Sequence, residues 1–186
     1  MRVQTKKTPL VVLVTLSFLV AISIVCGKYL AIRGGDILRF SFENLPIILA
    51  GILFGPIAGA SVGIVADLVG CFLVGYTINP IVTIGAAAIG LLSGILWGYC
   101  VRFETLSVNV RLAMTVGLSH LIGSVIIKTI GLAAFYSFPI EVLFLWRLLN
   151  YTIIGVVEGI LLCILFHNNL FQKTVLSVFF AKEAIK

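Results

Sequence analysis

Several ionisable residues interrupt apolar stretches of this sequence that otherwise hold no charge. Lys128 stands in "IIKTIG", Asp67 in "VADLVG" and Arg147 in "WRLLNY". Because a charged side chain that faces hydrocarbon costs several kcal/mol, we expect these groups to point into the interior of a helix bundle. An arginine can hold a carboxylate through two parallel N–H···O bonds, and a lysine acts as a point charge. The residues therefore predict a site for an anionic ligand.

Helical spacing extends this site. Arg147, Asn150 and Tyr151 follow i, i+3, i+4 spacing and share one helix face, and Asn79 and Thr83 share another. Amide, hydroxyl and carboxylate groups would hydrogen-bond a flat heterocycle, and aromatic rings would stack on it. The predicted substrate-binding residues are Arg147, Lys128, Asn150, Asp67, Asn79, Thr83, Arg39, Tyr151 and Trp146.

Composition identifies the solvent around this site. The chain has 186 residues, of which 61% are hydrophobic and 11% are charged, and its mean hydropathy is +1.22. A globule of this size has too little interior to hide so much apolar surface, so the chain is predicted to lie in lipid. The fold class is all-α, an integral membrane bundle of six transmembrane helices in a single domain, 1–186. The net charge of +6 is interpreted as basic flanks of membrane helices, without a nucleic-acid partner.

Polar breaks and turn residues divide the chain. The predicted helices cover 9–26, 45–55, 57–73, 81–99, 112–134 and 142–166, with a loop at 27–44 and a tail at 167–186. An even number of spans places both termini on one side. That side carries Arg2, Lys6, Lys7, Arg102, Arg111, Lys173, Lys182 and Lys186, whereas the other carries Lys28, Arg33 and Arg39. The positive-inside rule therefore predicts cytoplasmic termini, an extracellular loop at 27–44 and a site in the outer half of the bundle.

Catalytic signatures are missing from the sequence. It holds no HExxH, no GxSxG and no phosphate-binding glycine loop, and its four cysteines form no CxxC pair. We predict no enzyme activity, no cofactor and no metal site. Two alternatives from other classes stay open: an intramembrane enzyme acting on lipid substrates, and a small ion-coupled carrier or channel that works alone.

Two segments carry a resemblance to a known family. "LRFSFENLPIILAGILFGPIAGASVGIVADLVG" and "INPIVTIGAAAIGLLSGILWGY", together with "WRLLNY", resemble the substrate-binding S components of energy-coupling factor (ECF) vitamin transporters, most of all the folate type. The resemblance implies a monomeric six-helix subunit of a bacterial cell membrane that captures folate or a related vitamin from outside. Another vitamin, such as riboflavin, stays an alternative, and the excess positive charge disfavours cationic thiamine.

The resemblance also implies partners and moving parts. The subunit would dock on a transmembrane coupling protein that carries two ATPase subunits, through small residues of the first helix, here Ser17 and Ala21 in "SFLVA". The loop at 27–44 would act as a lid over the site. The stretch from Arg39 to Asn44 would then be the hinge between the lid and the pocket.

Overall fold

The computed structural model of the protein describes residues 9–34, 38–102, 106–136 and 139–173. The predicted basic flank at 1–8 and the tail beyond residue 173 lie outside the described residues. The main helices are α1 (Pro9–Ile24), α2 (Asn44–Phe54), α3 (Pro56–Val74), α4 (Pro80–Cys100), α5 (Val108–Ser119), α6 (Lys128–Tyr136), α7 (Ile140–His167) and the short α8 (Asn169–Phe171). The predicted helical fold is thus confirmed, and within the ranges described above one short two-stranded ribbon interrupts it.

Two π-helical segments are continuous with these helices. Val25–Tyr29 continues α1, and His120–Ile127 joins α5 to α6. The joined helix from Val108 starts four residues before the predicted 112–134, and it includes Arg111, which the sequence reading left in a cytoplasmic loop. Arg111 is instead buried in the first turn of α5. The polar break includes Ser107, which precedes α5 in an extended conformation, and serine is favoured at a helix start.

Within the described residues, five helical stretches are long and apolar enough to cross a membrane: Leu10–Tyr29, Pro56–Val74, Pro80–Cys100, Val108–Phe135 and Ile140–His167. The second predicted span, α2, has 11 residues. At a rise of about 1.5 Å per residue it covers about half of a hydrocarbon core some 30 Å thick. Most of α2 is buried among the other helices, so it belongs to the core of the bundle.

A short antiparallel ribbon lies between α1 and α2. Its strands are β1 (Ile32–Gly34) and β2 (Leu38–Phe40), with Ile32 opposite Phe40. The sequence pattern predicts only a loop here. The ribbon returns the chain to the bundle, where Phe40 packs against Tyr151 and Ile154 of α7 and Val125 of the π segment.

Helix α4 lies at the centre of the bundle, in contact with α2, α3, α5, α6 and the π segment His120–Ile127. Its contact with α3 is backbone to backbone. A Cβ atom added to Gly90 would lie 2.1 Å from the carbonyl oxygen of Gly59, and one added to Gly63 would lie 2.3 Å from the carbonyl oxygen of Ala86. The small residues therefore bring these helices together, as close packing in lipid requires. Helix α7 closes the other side against α5, the π segment and α6.

Candidate functional site

A polar cavity of about 230 Å³ lies near the end of the bundle where α3 joins α4. The bundle brings seven of the nine predicted substrate-binding residues to its wall: Asp67, Asn79, Lys128, Trp146, Arg147, Asn150 and Tyr151. These come from α3, the start of α4, α6 and the first half of α7. Residues far apart in the chain thus form one lining, and its charged groups face a shared space.

Arg147 is held by a backbone carbonyl and an aromatic ring. Its Nε and Nη2 atoms donate to the carbonyl oxygen of Ser124, over 3.1 and 2.7 Å. Its guanidinium carbon lies 5.0 Å from the ring centre of Tyr151. In the described part of the chain the guanidinium makes no ion pair, and its remaining N–H groups are suited to an acceptor in the cavity.

The acceptor for Arg147 depends on the π segment. In an α-helix the carbonyl of Ser124 would accept from the N–H of Lys128. Here that N–H donates instead to the carbonyl of Gly123, five residues back. The changed register leaves the Ser124 carbonyl open to the arginine. π-Helical turns inside α-helices often occur at functional sites, and this eight-residue π segment lies directly before Lys128.

Lys128 is almost fully buried and pairs with a carboxylate. Its Nζ atom lies 3.3 Å from Oε1 of Glu43, and the exposed fractions of the two side chains are 5% and 19%. A buried charge is costly unless it is paired and hydrogen-bonded, and the Glu43 carboxylate provides this partner for the Lys128 ammonium. An ammonium has three donors, and others remain for a ligand.

Asp67 is tied to its neighbours on α3 and α4. Its Oδ2 atom accepts from the hydroxyl of Thr83 at 2.6 Å, and its Oδ1 atom lies 3.9 Å from the thiol of Cys71. Lys28 in turn donates to the sulfur of Cys71 at 3.6 Å. Thr83 therefore lies behind the cavity wall, where it orients Asp67.

Asn79 caps α4 and links it to α6. Its Oδ1 atom accepts from the backbone N–H groups of Ile81 and Val82, at 3.0 and 3.4 Å, and its Nδ2 atom donates to the carbonyl of Gly131 at 2.8 Å. An asparagine at this position, followed by a proline, is a favoured helix start. Both ends of the amide are thus engaged within the protein.

Besides Thr83, three predicted residues lie away from this lining or beyond the described side chains. The side chain of Arg39 is outside the described residues, although its backbone is part of β2. Ser17 and Ala21, the predicted docking residues, lie one turn apart on the exposed side of α1, and the Ser17 hydroxyl donates to the carbonyl of Leu13.

Two charged lining residues, Lys28 and Glu43, were missed by the sequence reading, which placed one in a loop and the other in a hinge. Lys28 lies two residues beyond the predicted first span, so a position at the end of the bundle could have been expected for it. The sequence gives no such signal for Glu43, which is the only acid between residues 37 and 66 but borders a polar loop. With them the lining carries three cations (Lys28, Lys128 and Arg147) and two anions (Glu43 and Asp67), an excess of one positive charge.

A second polar cluster lies deeper in the bundle, behind the cavity. Nε2 of His120 lies 2.7 Å from Oε2 of Glu158, and Nδ1 lies 3.2 Å from Oγ of Ser124. Asn44 donates to the same hydroxyl at 3.4 Å. His120 is thus a satisfied core histidine. In the part of the chain that the structure describes, no group of three or more metal-ligating side chains comes together.

A larger groove of about 590 Å³ lies between α5 and α7, lined mostly by aliphatic side chains and glycine. Its lining has no lysine, arginine, aspartate or glutamate. Of its polar side chains, His120 and Thr152 are hydrogen-bonded within the protein and Tyr151 also lines the smaller cavity, so the smaller polar cavity is the candidate site.

The family model for the substrate-specific component of ECF transporters matches residues 11–168. The chain belongs to this family. Membership confirms the predicted transport role, and the family is one of transporter subunits rather than enzymes. The five apolar spans and the family together make the chain a membrane protein.

Two similar proteins carry more specific names. The folate transporter FolT of Clostridium novyi (strain NT) is 23% identical over 158 residues, which are 81% of this chain and 85% of that protein. Among solved structures, the crystal structure of FolT bound with folic acid superposes with a TM-score of 0.65 at 22% identity and covers 84% of this chain and 91% of that one. This S component therefore shares the fold of that structure.

Proposed function

We propose that this S component binds folate, or a closely related vitamin, and delivers it to an ECF transporter. The observation that carries the proposal is the polar cavity, in which Arg147 faces the ligand space beside a lysine–carboxylate pair and two aromatic side chains. Folate has the matching chemistry, with anionic carboxylates at one end and a flat heterocycle at the other. The names of the two similar proteins point to the same ligand.

Each lining residue has a proposed part in this binding. Arg147 donates hydrogen bonds to a carboxylate or carbonyl oxygen of the ligand, because no carboxylate in the described part of the protein pairs with its guanidinium. Trp146 and Tyr151 offer ring faces for stacking. Asp67 and Asn150 hydrogen-bond the polar edges of the ligand. Thr83 and Asn79 hold the wall in place, and Lys128 supplies positive charge together with Arg39 from the ribbon.

The cavity volume limits how the ligand sits. About 230 Å³ is below the range of about 300–1,000 Å³ that is usual for drug-sized ligands. One end of the vitamin therefore occupies the cavity, and the other extends towards the ribbon at 32–40. Closure of the ribbon over that end would complete the site, with the stretch from Arg39 to Asn44 as the hinge.

The transport role sets the remaining architecture. We propose that α2 and the five longer spans form the six-helix arrangement of the family, as a monomer in a bacterial cell membrane with both termini in the cytoplasm. Charge bias supports this orientation. The exposed small residues Ser17 and Ala21 on α1 would contact a transmembrane coupling protein, which carries two ATPase subunits.

Titration of the purified protein with vitamins tests the proposal. Saturable binding of folate with a dissociation constant in the nanomolar range is expected, without turnover and without ATP. Thiamine, which is cationic, should not compete. Lack of folate binding by protein that is monodisperse and folded would refute the proposal.

Riboflavin is the second candidate, because a flat heterocycle would also stack between the aromatic residues of the lining. It has no carboxylate for Arg147, so the arginine would gain less from it. The same titration separates the two ligands, and tighter binding of riboflavin than of folate would assign the cavity to riboflavin.

A further inference from the structure

Glu43 is held in the cavity wall by contacts from two other elements. Ser23 of α1 donates to its backbone carbonyl at 2.7 Å. The π-helical turn after α1 makes room for its side chain, since a Cβ atom added to Gly27 would lie 2.6 Å from Oε2 and 2.8 Å from Cβ of Glu43. Lys128 of α6 pairs with its Oε1 atom. The carboxylate therefore has a fixed position in the lining.

The pair that Glu43 forms with Lys128 presents a donor next to an acceptor. The ammonium keeps donors beyond the one aimed at Glu43, and a carboxylate can accept about four hydrogen bonds. The two groups lie 3.3 Å apart, with both side chains on the wall of the same cavity. A ligand carboxylate has only acceptors and would be repelled by Glu43. A ring amide, with N–H beside C=O, offers the complementary donor and acceptor.

Arg147 lies in the same lining, and its guanidinium suits an oxygen acceptor. The lining thus offers an arginine for an oxygen acceptor and, at Lys128 and Glu43, a donor beside an acceptor that match a ring amide. From this, and resting on the proposed function, we infer that Glu43 is a specificity-determining residue that accepts the ring N–H of the pterin, while Lys128 donates to the adjacent ring carbonyl.

Aminopterin is the probe that tests this pairing, because it differs from folate only in an amino group in place of the ring carbonyl. The neutral ring then has a donor facing Lys128 and an unprotonated nitrogen facing Glu43, whereas the carboxylate tail is unchanged. Wild-type protein at pH 8 should bind folate at least about tenfold more tightly than aminopterin. Loss of one hydrogen bond to a charged group lowers affinity by about tenfold or more, which sets this scale.

The variant Glu43→Gln should reduce the preference for folate at least about fivefold, because a neutral amide can turn either its oxygen or its nitrogen to the ring. Glu43→Asp keeps the charge and should keep the order of preference. Glu141→Gln, which changes an exposed carboxylate in the first turn of α7, is the matched control and should behave as wild type. Thermal unfolding and gel filtration of each variant report whether it is folded.

The outcomes separate the inference from the proposed function. Folate binding by wild type, with an equal preference in wild type and Glu43→Gln, would overturn the role of Glu43 and leave folate as the ligand. Equal affinities of wild type for folate and aminopterin would overturn it too. If Glu43→Gln does not fold, a lost preference in Glu43→Asp contradicts the inference and a retained one supports it. No binding of either pteridine by wild type would refute the proposed function itself.

Discussion

Replacement of Arg147 by alanine removes the one cation of the cavity that faces a backbone carbonyl and an aromatic ring. The wild-type guanidinium donates twice to the carbonyl of Ser124 and lies 5.0 Å from the ring centre of Tyr151. These contacts orient the guanidinium of Arg147 before the ligand binds. The substitution therefore removes both the positive charge and its orientation, and we expect weaker binding of an anionic vitamin.

The magnitude follows from one charge-assisted interaction. A hydrogen bond to a charged group contributes about 1.5–3 kcal/mol, and each 1.4 kcal/mol is about a factor of ten in affinity. Arg147→Ala should therefore raise the dissociation constant for folate by about 10- to 150-fold. Arg147→Lys keeps the charge but loses the planar fork, so its effect should be smaller, near tenfold.

Isothermal titration or quenching of tryptophan fluorescence measures these constants on purified protein. Arg102→Ala is the control, because Arg102 is exposed beyond the end of α4 and outside the cavity lining. Its dissociation constant should stay within twofold of wild type. An unchanged constant in Arg147→Ala, with unchanged thermal unfolding, would remove Arg147 from the binding site.

Three further predictions concern the framework and the docking surface. Gly27→Ala should displace the Glu43 side chain from Lys128 and weaken folate binding roughly fivefold, which is about 1 kcal/mol. The control in the same titration is Gly98→Ala, because a Cβ atom added at Gly98 meets open space. Gly90→Ala should reduce the stability of the protein by about 1–3 kcal/mol, because the added methyl group pushes α3 and α4 apart, and the unfolding temperature should fall. An unfolding temperature equal to that of Gly98→Ala would contradict this prediction. Ala21→Trp should abolish uptake in vesicles that contain the coupling protein and ATPases while binding stays unchanged, and normal uptake would exclude docking there.

Much of the site follows from the sequence by one physical rule. A charge within an apolar span must face the interior, so Lys128, Asp67 and Arg147 are expected to meet in the bundle. Their convergence on one cavity agrees with that rule. Glu43 follows no such rule, because it lies at the border of a polar loop, where a charge has no energetic reason to be buried. Its position depends on Gly27 and Lys128, which no local pattern connects to it.

The length and the burial of α2 could also not be predicted from the sequence alone. The apolar run after Leu45 looks like a membrane span, since hydropathy does not distinguish contact with lipid from contact with other helices. The structure ends α2 at Phe54, and Gly55, with a φ of 92°, turns the chain directly into α3. A glycine is needed at this positive φ, which other residues rarely adopt. The turn residues Gly55 and Pro56 are visible in the sequence, but the burial of α2 depends on neighbours.

The π segment is the feature that sequence patterns predict least and on which the site depends most. His120–Ile127 keeps the apolar pattern of a helix, so nothing in its composition marks the altered register. That register sends the N–H of Lys128 to Gly123 and opens the Ser124 carbonyl to Arg147, while the Ser124 hydroxyl contacts His120 and Asn44. One residue thus joins the candidate ligand site to the buried histidine–glutamate pair. Because the arginine is oriented through the backbone, substitution of the Ser124 side chain cannot remove its acceptor. The orientation of Arg147 therefore depends on the backbone carbonyl of residue 124, and the side chain of that residue serves the histidine–glutamate cluster.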